Sequence, residues 1–205
     1  MTNNFSDCFY KKWLFETPML TGPSSHNPYD DLIYAAKSNI ESGFDVVKPS
    51  NRLNKLITTD DIFYWVETDN QIDIISQLQS TQSGLFIELT GKRPGATIYA
   101  SKFYELILND AKRLIFSGNI LSTEGFGIWK HMLAHGKKLF VYDTKNPLNR
   151  DTIHSEEELK KFVGNTDNYK QYRYVLSESI KEHTSTVISF DLLRTYTLTF
   201  GIKNE

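Results

Sequence analysis

The stretch from Gly84 to Leu108 changes its hydrophobic period in the middle, and it constrains the fold more than any other part of the chain. Its first part, "LFIEL" (85–89), is apolar except for one carboxylate and predicts a buried strand. The residues "GKRPG" then interrupt the pattern, and from Ile98 onward the apolar residues recur at helical spacing. A buried strand that leads through a basic, glycine-bearing loop into a helix predicts a sheet with helices packed on it.

The segments on either side extend this pattern. "DIFYWVETDNQIDIISQLQS" predicts a hairpin of two strands, Ile62–Glu67 and Ile72–Leu78, joined at the turn-prone Asp69-Asn70. Downstream, the sequence predicts a helix over 98–110, a short strand over 113–117, a helix over 123–134 capped at Ser122 or Thr123, and a strand over 137–143. Helices that alternate with strands after an antiparallel start predict an α/β mixed (α+β) fold with a mixed central sheet.

Both ends of the chain are predicted to be mainly helical. We expect a helix near Phe5–Phe15 and another over 29–42, with Gly43 as its stop. Ser155 and Glu158 form a capping-box pattern, and a further helix is expected over 168–183, while 184–201 is ambiguous between strand and helix. These patterns predict a single domain with three parts, which are a helical N-terminal extension (1–55), a core (56–146) and an α-rich C-terminal addition (147–205).

Composition narrows the classes of protein that fit. The chain has 205 residues, 40% of them hydrophobic, which is ample material for one buried core. The formal net charge of −2 argues against a dedicated nucleic-acid-binding protein. Cys8 is the one cysteine, so no internal disulfide can form. Because no apolar run approaches the roughly 20 residues of a membrane span, we expect a cytoplasmic protein without a membrane partner.

The loop between the predicted strand and helix is a candidate anion site. The first amides of a helix have no partner inside it, and the helix dipole favours negative charge there. Lys92 and Arg93 add positive charge, and Gly95 allows close backbone approach. The nucleotide-binding patterns G-x-G-x-x-G and G-x-x-x-x-G-K-[ST] are absent from this loop. The alternative is a tight turn that carries two solvated bases.

The order of these elements resembles the second half of the GNAT acetyltransferase superfamily over about Ile62 to Asp143. In that family the loop after the fourth strand reads Q/R-x-x-G-x-G/A, and its amides hold the pyrophosphate of acetyl-coenzyme A. The chain has "KRPGAT" here, with a base first, Gly fourth and Thr rather than Gly or Ala sixth. The resemblance implies that acetyl-CoA is held by Lys92, Arg93, Gly95, Ala96 and Thr97.

The same resemblance implies catalytic roles. Many members carry a carboxylate on the preceding strand as the base that deprotonates an amine, and Glu88 stands there. Apolar neighbours would desolvate this carboxylate and raise its pKa, although it could instead face solvent or pair with a lysine. Active members often have a tyrosine as general acid four residues before the glycine that ends the last helix. Met132 occupies that position, so Tyr142 or Tyr99 would have to substitute.

The resulting hypothesis is an acyl-coenzyme A dependent N-acetyltransferase that acts on an amine of a protein or small molecule. Direct attack of the amine on the thioester would need no metal. His131 and His135 have a metal-ligand spacing but lack the following glutamate of a metalloprotease, so we interpret them as a solvated pair at a helix end.

The alternative is a non-catalytic GNAT-like protein that uses its fold for binding. Composition resembles accessory proteins of tailed phages, which would place the protein in a host cytoplasm or a virion as an assembly component or an inhibitor of a host protein. A protein partner would dock through the N-terminal aromatic segment "FYKKWLFETP" or the C-terminal addition. "YKQYRYVL" mixes tyrosines with bases, as nucleic-acid-binding segments do, but a partner surface suits the net charge better.

Overall fold

The described part of the chain contains four helices and eleven strands. The computed structural model describes residues 19–20, 26–118, 120–143, 150–163 and 172–177. The helices are α1 (Tyr29–Glu41), α2 (Ala100–Ala111), α3 (Thr123–Ala134) and α4 (Glu156–Lys161). The strands are β1 (Met19–Leu20), β2 (Val46–Ser50), β3 (Leu53–Ile57), β4 (Asp61–Thr68), β5 (Gln71–Ser80), β6 (Leu85–Lys92), β7 (Ile115–Phe116), β8 (Ile120–Leu121), β9 (Leu139–Asp143), β10 (Arg150–Ile153) and β11 (Tyr172–Leu176).

Nine strands form one sheet in the order β10-β9-β11-β7-β6-β5-β4-β3-β2. Every neighbouring pair in this sheet is antiparallel except β6 and β7, which are parallel. β1 and β8 form a separate parallel pair. The predicted mixed α+β class is therefore confirmed, with a sheet that is mostly antiparallel.

The predicted hairpin is confirmed as β4 and β5. Asp69 and Asn70, which join the two strands, have φ angles of 52° and 61°. Two successive left-handed residues match the right-handed twist of the strands, and Asp and Asn tolerate this conformation better than most residues. The turn therefore sets the pairing of β4 with β5.

The helices pack on both faces of the sheet. Side chains of α2, α3 and α4 join one cluster, which contains Phe103, Trp129 and Leu159 and covers what we call the α2 face. Leu32 and Ala36 of α1 join the second cluster on the opposite face, the α1 face, over β3, β4 and β5. Each large apolar side chain buried in this way stabilises the fold by roughly 1.5–3 kcal/mol.

Helix boundaries follow local chemistry. α3 begins where the Ser122 hydroxyl accepts from the Gly125 amide at 3.1 Å, and α4 begins where Ser155 accepts from the Glu158 amide at 3.1 Å. Both caps were predicted from the sequence, because serine at this position satisfies an amide that has no partner inside the helix. α2 ends at Lys112, which has a left-handed φ of 52°.

The predicted helix over 168–183 is wrong where the structure describes it. Tyr172–Leu176 is strand β11, which lies between β7 and β9. Tyr174 and Leu176 point into the α2-face cluster, so this segment alternates with period two and not with helical spacing. The central sheet also includes β2, β3, β10 and β11. The expected helix near Phe5–Phe15, the segment 184–201 and Cys8 lie outside the described residues.

Candidate functional site

The parallel pair β6 and β7 separates soon after it forms. The two strands are in register only at Leu85 with Ile115 and at Phe86 with Phe116. Beyond this point β6 continues along β5 to Lys92. The chain after β7 stays with β11 instead, because the Ser117 amide donates to the Tyr174 carbonyl at 2.8 Å. Among the described strands, the carboxyl-terminal half of β6 therefore has a ladder partner on one side only.

A β-bulge at Glu88 shifts the pairing register of β6 with β5. Leu78 and Gln77, which are consecutive on β5, pair with Ile87 and Leu89 on β6, so Glu88 is the extra residue. Before the bulge, Leu85 and Ile87 point into the α2-face cluster. Bulges bend a strand and redirect side chains, and they are over-represented beside active sites.

The bulge reverses the alternation of side chains along β6. After it, Thr90 lies on the α2 face, where its hydroxyl contacts those of Ser76 and Tyr104. Gly91 lies on the α1 face, directly under the start of α1. Glu88 and Leu89 are both exposed, and Leu89 retains 47% of its accessible surface. Glu88 and Leu89 are thus the two consecutive solvent-exposed residues at the centre of β6.

The electrostatic surroundings of Glu88 suit a proton acceptor. Partial removal of water by neighbouring atoms raises the pKa of the Glu88 carboxyl, and the negative charge of Asp61 raises it further. The pKa of Asp61 is itself raised by desolvation, against the effect of a hydrogen bond with Gln77. The sequence pattern did not single out Asp61. It lies on β4, and only the pairing of β4 and β6 with β5 brings it close to Glu88.

Tyr142 is linked to the same region through aromatic contacts. Its ring meets the Phe116 ring edge-on at 5.3 Å, and Phe116 stacks on Phe86 at 4.5 Å. Phe86, two residues before Glu88, carries this row of rings onto β6. These three rings lie on the face of the sheet opposite α2, where β6 and β7 separate. Tyr142 is the last ring of the row and is half-buried.

The loop predicted to bind phosphate is one residue shorter than the sequence predicted, and local contacts fix part of its backbone and the Arg93 side chain. Lys92 is the last residue of β6, so the loop begins at Arg93. The Arg93 guanidinium forms an ion pair with Asp73, and its amide donates to the Asp73 carbonyl at 2.8 Å. Pro94 and Gly95 form a β-turn closed by the Ala96 amide on the Arg93 carbonyl at 3.1 Å. Gly95 has a φ of 78°, which a turn of this kind requires at its third position.

The N-terminus of α2 lies at the other end of this loop. Its first backbone bond runs from the Phe103 amide to the Tyr99 carbonyl at 3.1 Å, so the amides of the three residues before Phe103 have no partner within the helix. Tyr99 is the N-cap but makes no side-chain capping bond, and the first turn contains no acidic residue. This end of α2 is therefore electropositive through its backbone amides, while the Lys102 ammonium is paired with Glu105 at 3.0 Å.

Met132, which stands where many GNAT enzymes have a tyrosine, is completely buried in the α2-face cluster. Its side chain packs α3 against the sheet, so this position supplies no proton donor. Tyr142 is half-buried and Tyr99 is exposed, so both remain accessible to a substrate.

Comparison with family models, curated proteins and solved structures gives no match. Within the described ranges, no helix has the length and apolar character to span a bilayer. The same residues contain no group of three or more His, Cys, Asp or Glu side chains arranged to hold a metal ion.

Proposed function

We propose that this chain is an acyl-coenzyme A dependent N-acyltransferase with a GNAT-like core. The observation that carries the proposal is the bulge at Glu88, which lies where the only parallel pair among the described strands of the large sheet diverges. In open sheets of parallel strands, ligands bind outside the carboxyl ends of the strands, and the proposal extends this rule to the one pair β6 and β7. The chain order hairpin, β6, α2, β7, α3, β9 is also the order on which the family resemblance was based.

The coenzyme would bind with its pyrophosphate at the N-terminus of α2. The helix follows β6, so its free amides lie at the carboxyl end of the parallel pair. Those amides and the helix dipole favour an anion, whereas the charge of Lys102 is already paired with Glu105. Lys92, Gly95, Ala96 and Thr97 would line the approach, whereas Arg93 would act mainly through its ion pair with Asp73.

Glu88 would act as the base for the acceptor amine. An amine is a nucleophile only when it is neutral, so a carboxylate with a raised pKa beside the thioester can accept its proton. The amine nitrogen would then attack the thioester carbonyl carbon, and the tetrahedral intermediate would collapse as the carbon–sulfur bond breaks. The departing thiolate would take a proton from Tyr142.

A thiol-release assay with acetyl-CoA and a panel of amines, including peptide N-termini, lysine side chains and polyamines, tests this activity. Glu88→Gln should lower kcat by about 10²-fold or more, the usual contribution of a general base. Glu41→Gln, which removes an exposed carboxylate at the end of α1, is the matched control and should leave kcat unchanged. Equal rates for the wild-type protein and Glu88→Gln would contradict the role of Glu88.

A non-catalytic binding protein with the same fold is the second candidate. It is favoured by the local contacts that already occupy the loop, which are the Arg93–Asp73 pair and the Pro94-Gly95 turn. It is also favoured by Met132, which packs the core where an acid would be needed. This candidate predicts a stable protein that neither binds acetyl-CoA nor releases thiol with any amine in the panel.

A further inference from the structure

Ser101 and His131 form a hydrogen-bonded pair between the first turn of α2 and the last turn of α3. Oγ of Ser101 lies 3.0 Å from Nδ1 of His131. A serine hydroxyl becomes a nucleophile when an adjacent general base accepts its proton, and this requires a hydrogen bond of about this length. Neither side chain has a role in the acyl transfer proposed above, so the pair is available for other chemistry.

The orientation of the His131 ring is fixed by two other rings. His135 stacks on it with a centroid distance of 3.9 Å and an interplanar angle of 23°, and Tyr99 stacks on it at 5.4 Å and 14°. His135 is itself held, because its Nδ1 donates to the His131 carbonyl at 2.8 Å. Rotation of the His131 imidazole is therefore restricted, and its Nδ1 stays directed at Ser101.

The backbone around Ser101 supplies donors for a developing negative charge. Ser101 is the second residue of α2, and the amides of Ser101 and Lys102 have no partner within the helix. Free amides beside a nucleophile stabilise the oxyanion of a tetrahedral intermediate. Ser101 is 8% exposed and lies between the N-cap Tyr99, which is 66% exposed, and the exposed Lys102. The serine is thus in the surface layer, at an end of α2 that solvent reaches.

We propose that Ser101 and His131 are a nucleophile–base dyad that cleaves a small carboxylic ester. Within the described residues, no hydrogen bond reaches Nε2 of His131, so no carboxylate from this part of the chain supports the base. Loss of such a carboxylate costs a serine protease about 10⁴-fold in kcat. An ester suits this dyad better than an amide, because an alcohol leaves more readily than an amine. The ester and the coenzyme would compete for the α2 amides, so this activity is separate from the acyl transfer.

The reaction consumes only the ester and water. Ser101 donates its hydrogen bond when the hydrogen of the neutral His131 ring is on Nε2. Oγ attacks the carbonyl carbon of the ester, and Nδ1 takes the hydroxyl proton. The tetrahedral intermediate then breaks its carbon–oxygen bond to the alcohol, which leaves with that proton. Water attacks the acyl-serine in the second step, His131 passes a proton from the water to Oγ, and the carboxylic acid is released.

Reaction with an alkyl fluorophosphonate, added without coenzyme, tests the dyad. Oγ forms a bond to phosphorus as fluoride leaves, and intact mass spectrometry counts the phosphonyl groups. We expect a single group on the wild-type protein, mapped to Ser101 in its peptides, and none on Ser101→Ala. His131→Phe keeps a flat ring in the stack but has no base, and it should react about 10²-fold more slowly, the usual contribution of a general base. Thermal unfolding of both variants checks that the fold is retained.

Ser83→Ala is the matched control. It removes an exposed serine between β5 and β6 and should react as the wild-type protein does. No phosphonylation of the wild-type protein at millimolar probe, modification at a residue other than Ser101, or an equal rate in His131→Phe would overturn the proposal. The first two results come from the wild-type protein alone, so they decide the proposal even if a variant fails to fold. Because no coenzyme is present, none of the results depends on acyltransferase activity.

Discussion

Arg93 and Asp73 are joined twice, once through the ion pair of their side chains and once through the Arg93 amide and the Asp73 carbonyl at 2.8 Å. Asp73 is only 4% exposed. The pKa of Asp73 is lowered chiefly by a hydrogen bond from Thr68 and further by Arg93, against the opposing effect of burial. A residue predicted to hold phosphate therefore serves first to neutralise a buried carboxylate at the end of β6.

Arg93→Ala should lower the free energy of unfolding by about 1–3 kcal/mol, because it removes the partner of a buried charged group. Urea unfolding at pH 7 measures this change. The matched variant Lys92→Ala, at the neighbouring base, should change stability by less than about 0.5 kcal/mol, as surface substitutions usually do. Unchanged stability of Arg93→Ala would contradict the structural role of this arginine.

The ion pair of Arg93 and Asp73 should make the free energy of unfolding fall at acid pH. A carboxyl whose pKa is lower in the folded state adds stability above its unfolded pKa and loses it as the pH falls through the folded pKa. The wild-type protein should therefore lose stability below about pH 4, the ordinary range of an aspartate. Asp73→Asn should show a shallower loss over this interval in unfolding curves measured at several pH values.

Asp61→Asn should lower the pKa of Glu88, because it removes a negative charge that disfavours ionised Glu88. Carbon-detected NMR titration of the side-chain carboxyls measures this directly and does not depend on turnover. If the enzyme is active, the acid limb of its pH–rate profile should move to lower pH in this variant. A Glu88 titration curve that is identical in both proteins would show that the two groups do not interact.

Glu88 itself should oppose folding at neutral pH. A glutamate whose pKa is raised in the folded state contributes stability that is complete below its unfolded pKa and is lost as the pH rises through the folded pKa. Glu88→Gln should therefore be at least as stable as the wild-type protein at pH 7, even though the proposed function predicts that this variant loses activity. This combination is expected of a functional residue and not of a structural one.

Gly91→Ala should separate α1 from the sheet. A Cβ at this position would lie 2.4 Å from the Tyr29 Cα and 2.5 Å from the Tyr29 amide nitrogen, and neither backbone atom can move without the helix. We expect a loss of several kcal/mol, in the range of severe overpacking.

Gly127→Ala is the control for this substitution. A Cβ at Gly127, inside α3, meets nothing within 4 Å, and alanine favours a helix over glycine by about 0.5–1 kcal/mol. This variant should therefore be more stable than the wild-type protein in thermal unfolding. Unchanged stability of Gly91→Ala would contradict the close approach of α1 to this glycine.

Asp110→Ala should weaken the attachment of α2 to the sheet. The buried Tyr64 hydroxyl donates to Asp110 at 2.6 Å, and Lys55 donates to the same oxygen at 3.0 Å. Loss of the acceptor leaves a buried hydroxyl without a partner, which costs about 1–3 kcal/mol. Lys55→Ala keeps that acceptor and should cost less than about 1 kcal/mol. The order of the two losses, measured by urea unfolding, is the test.

Sequence patterns predicted the elements whose signals are local. The Asp69-Asn70 turn, the serine caps of α3 and α4 and the helical period of α1 each depend on residues within one element. Tyr172–Leu176 was assigned to a helix because five alternating residues are too few to distinguish the two periods. Its strand form depends on β7 and β9, which lie far away along the chain.

The site could be predicted only in part for a similar reason. The position of Glu88 on a strand followed from its apolar neighbours, but its exposure follows from the bulge, which is set by the register with β5. Arg93 was expected to face an anion, and only the fold brings Asp73 against it. Asp61 and Ser101 were not singled out, because their partners lie on other elements.

The most direct test of the central claim is calorimetric titration of the full chain with acetyl-CoA, with Tyr99→Asp as the key variant. Asp at the N-cap should stabilise α2 by about 1 kcal/mol while it occupies the free amides with its own negative charge. Tyr34→Asp, an equally drastic change at a 77% exposed tyrosine of α1, is the control.

The proposal predicts a dissociation constant on the order of 1–100 μM for the wild-type protein and Tyr34→Asp, which is an ordinary substrate affinity. It predicts binding at least about tenfold weaker in Tyr99→Asp, the effect of some 1.4 kcal/mol. No heat from the wild-type protein at millimolar acetyl-CoA, or unchanged affinity in Tyr99→Asp, would contradict the assignment of the coenzyme site to the N-terminus of α2.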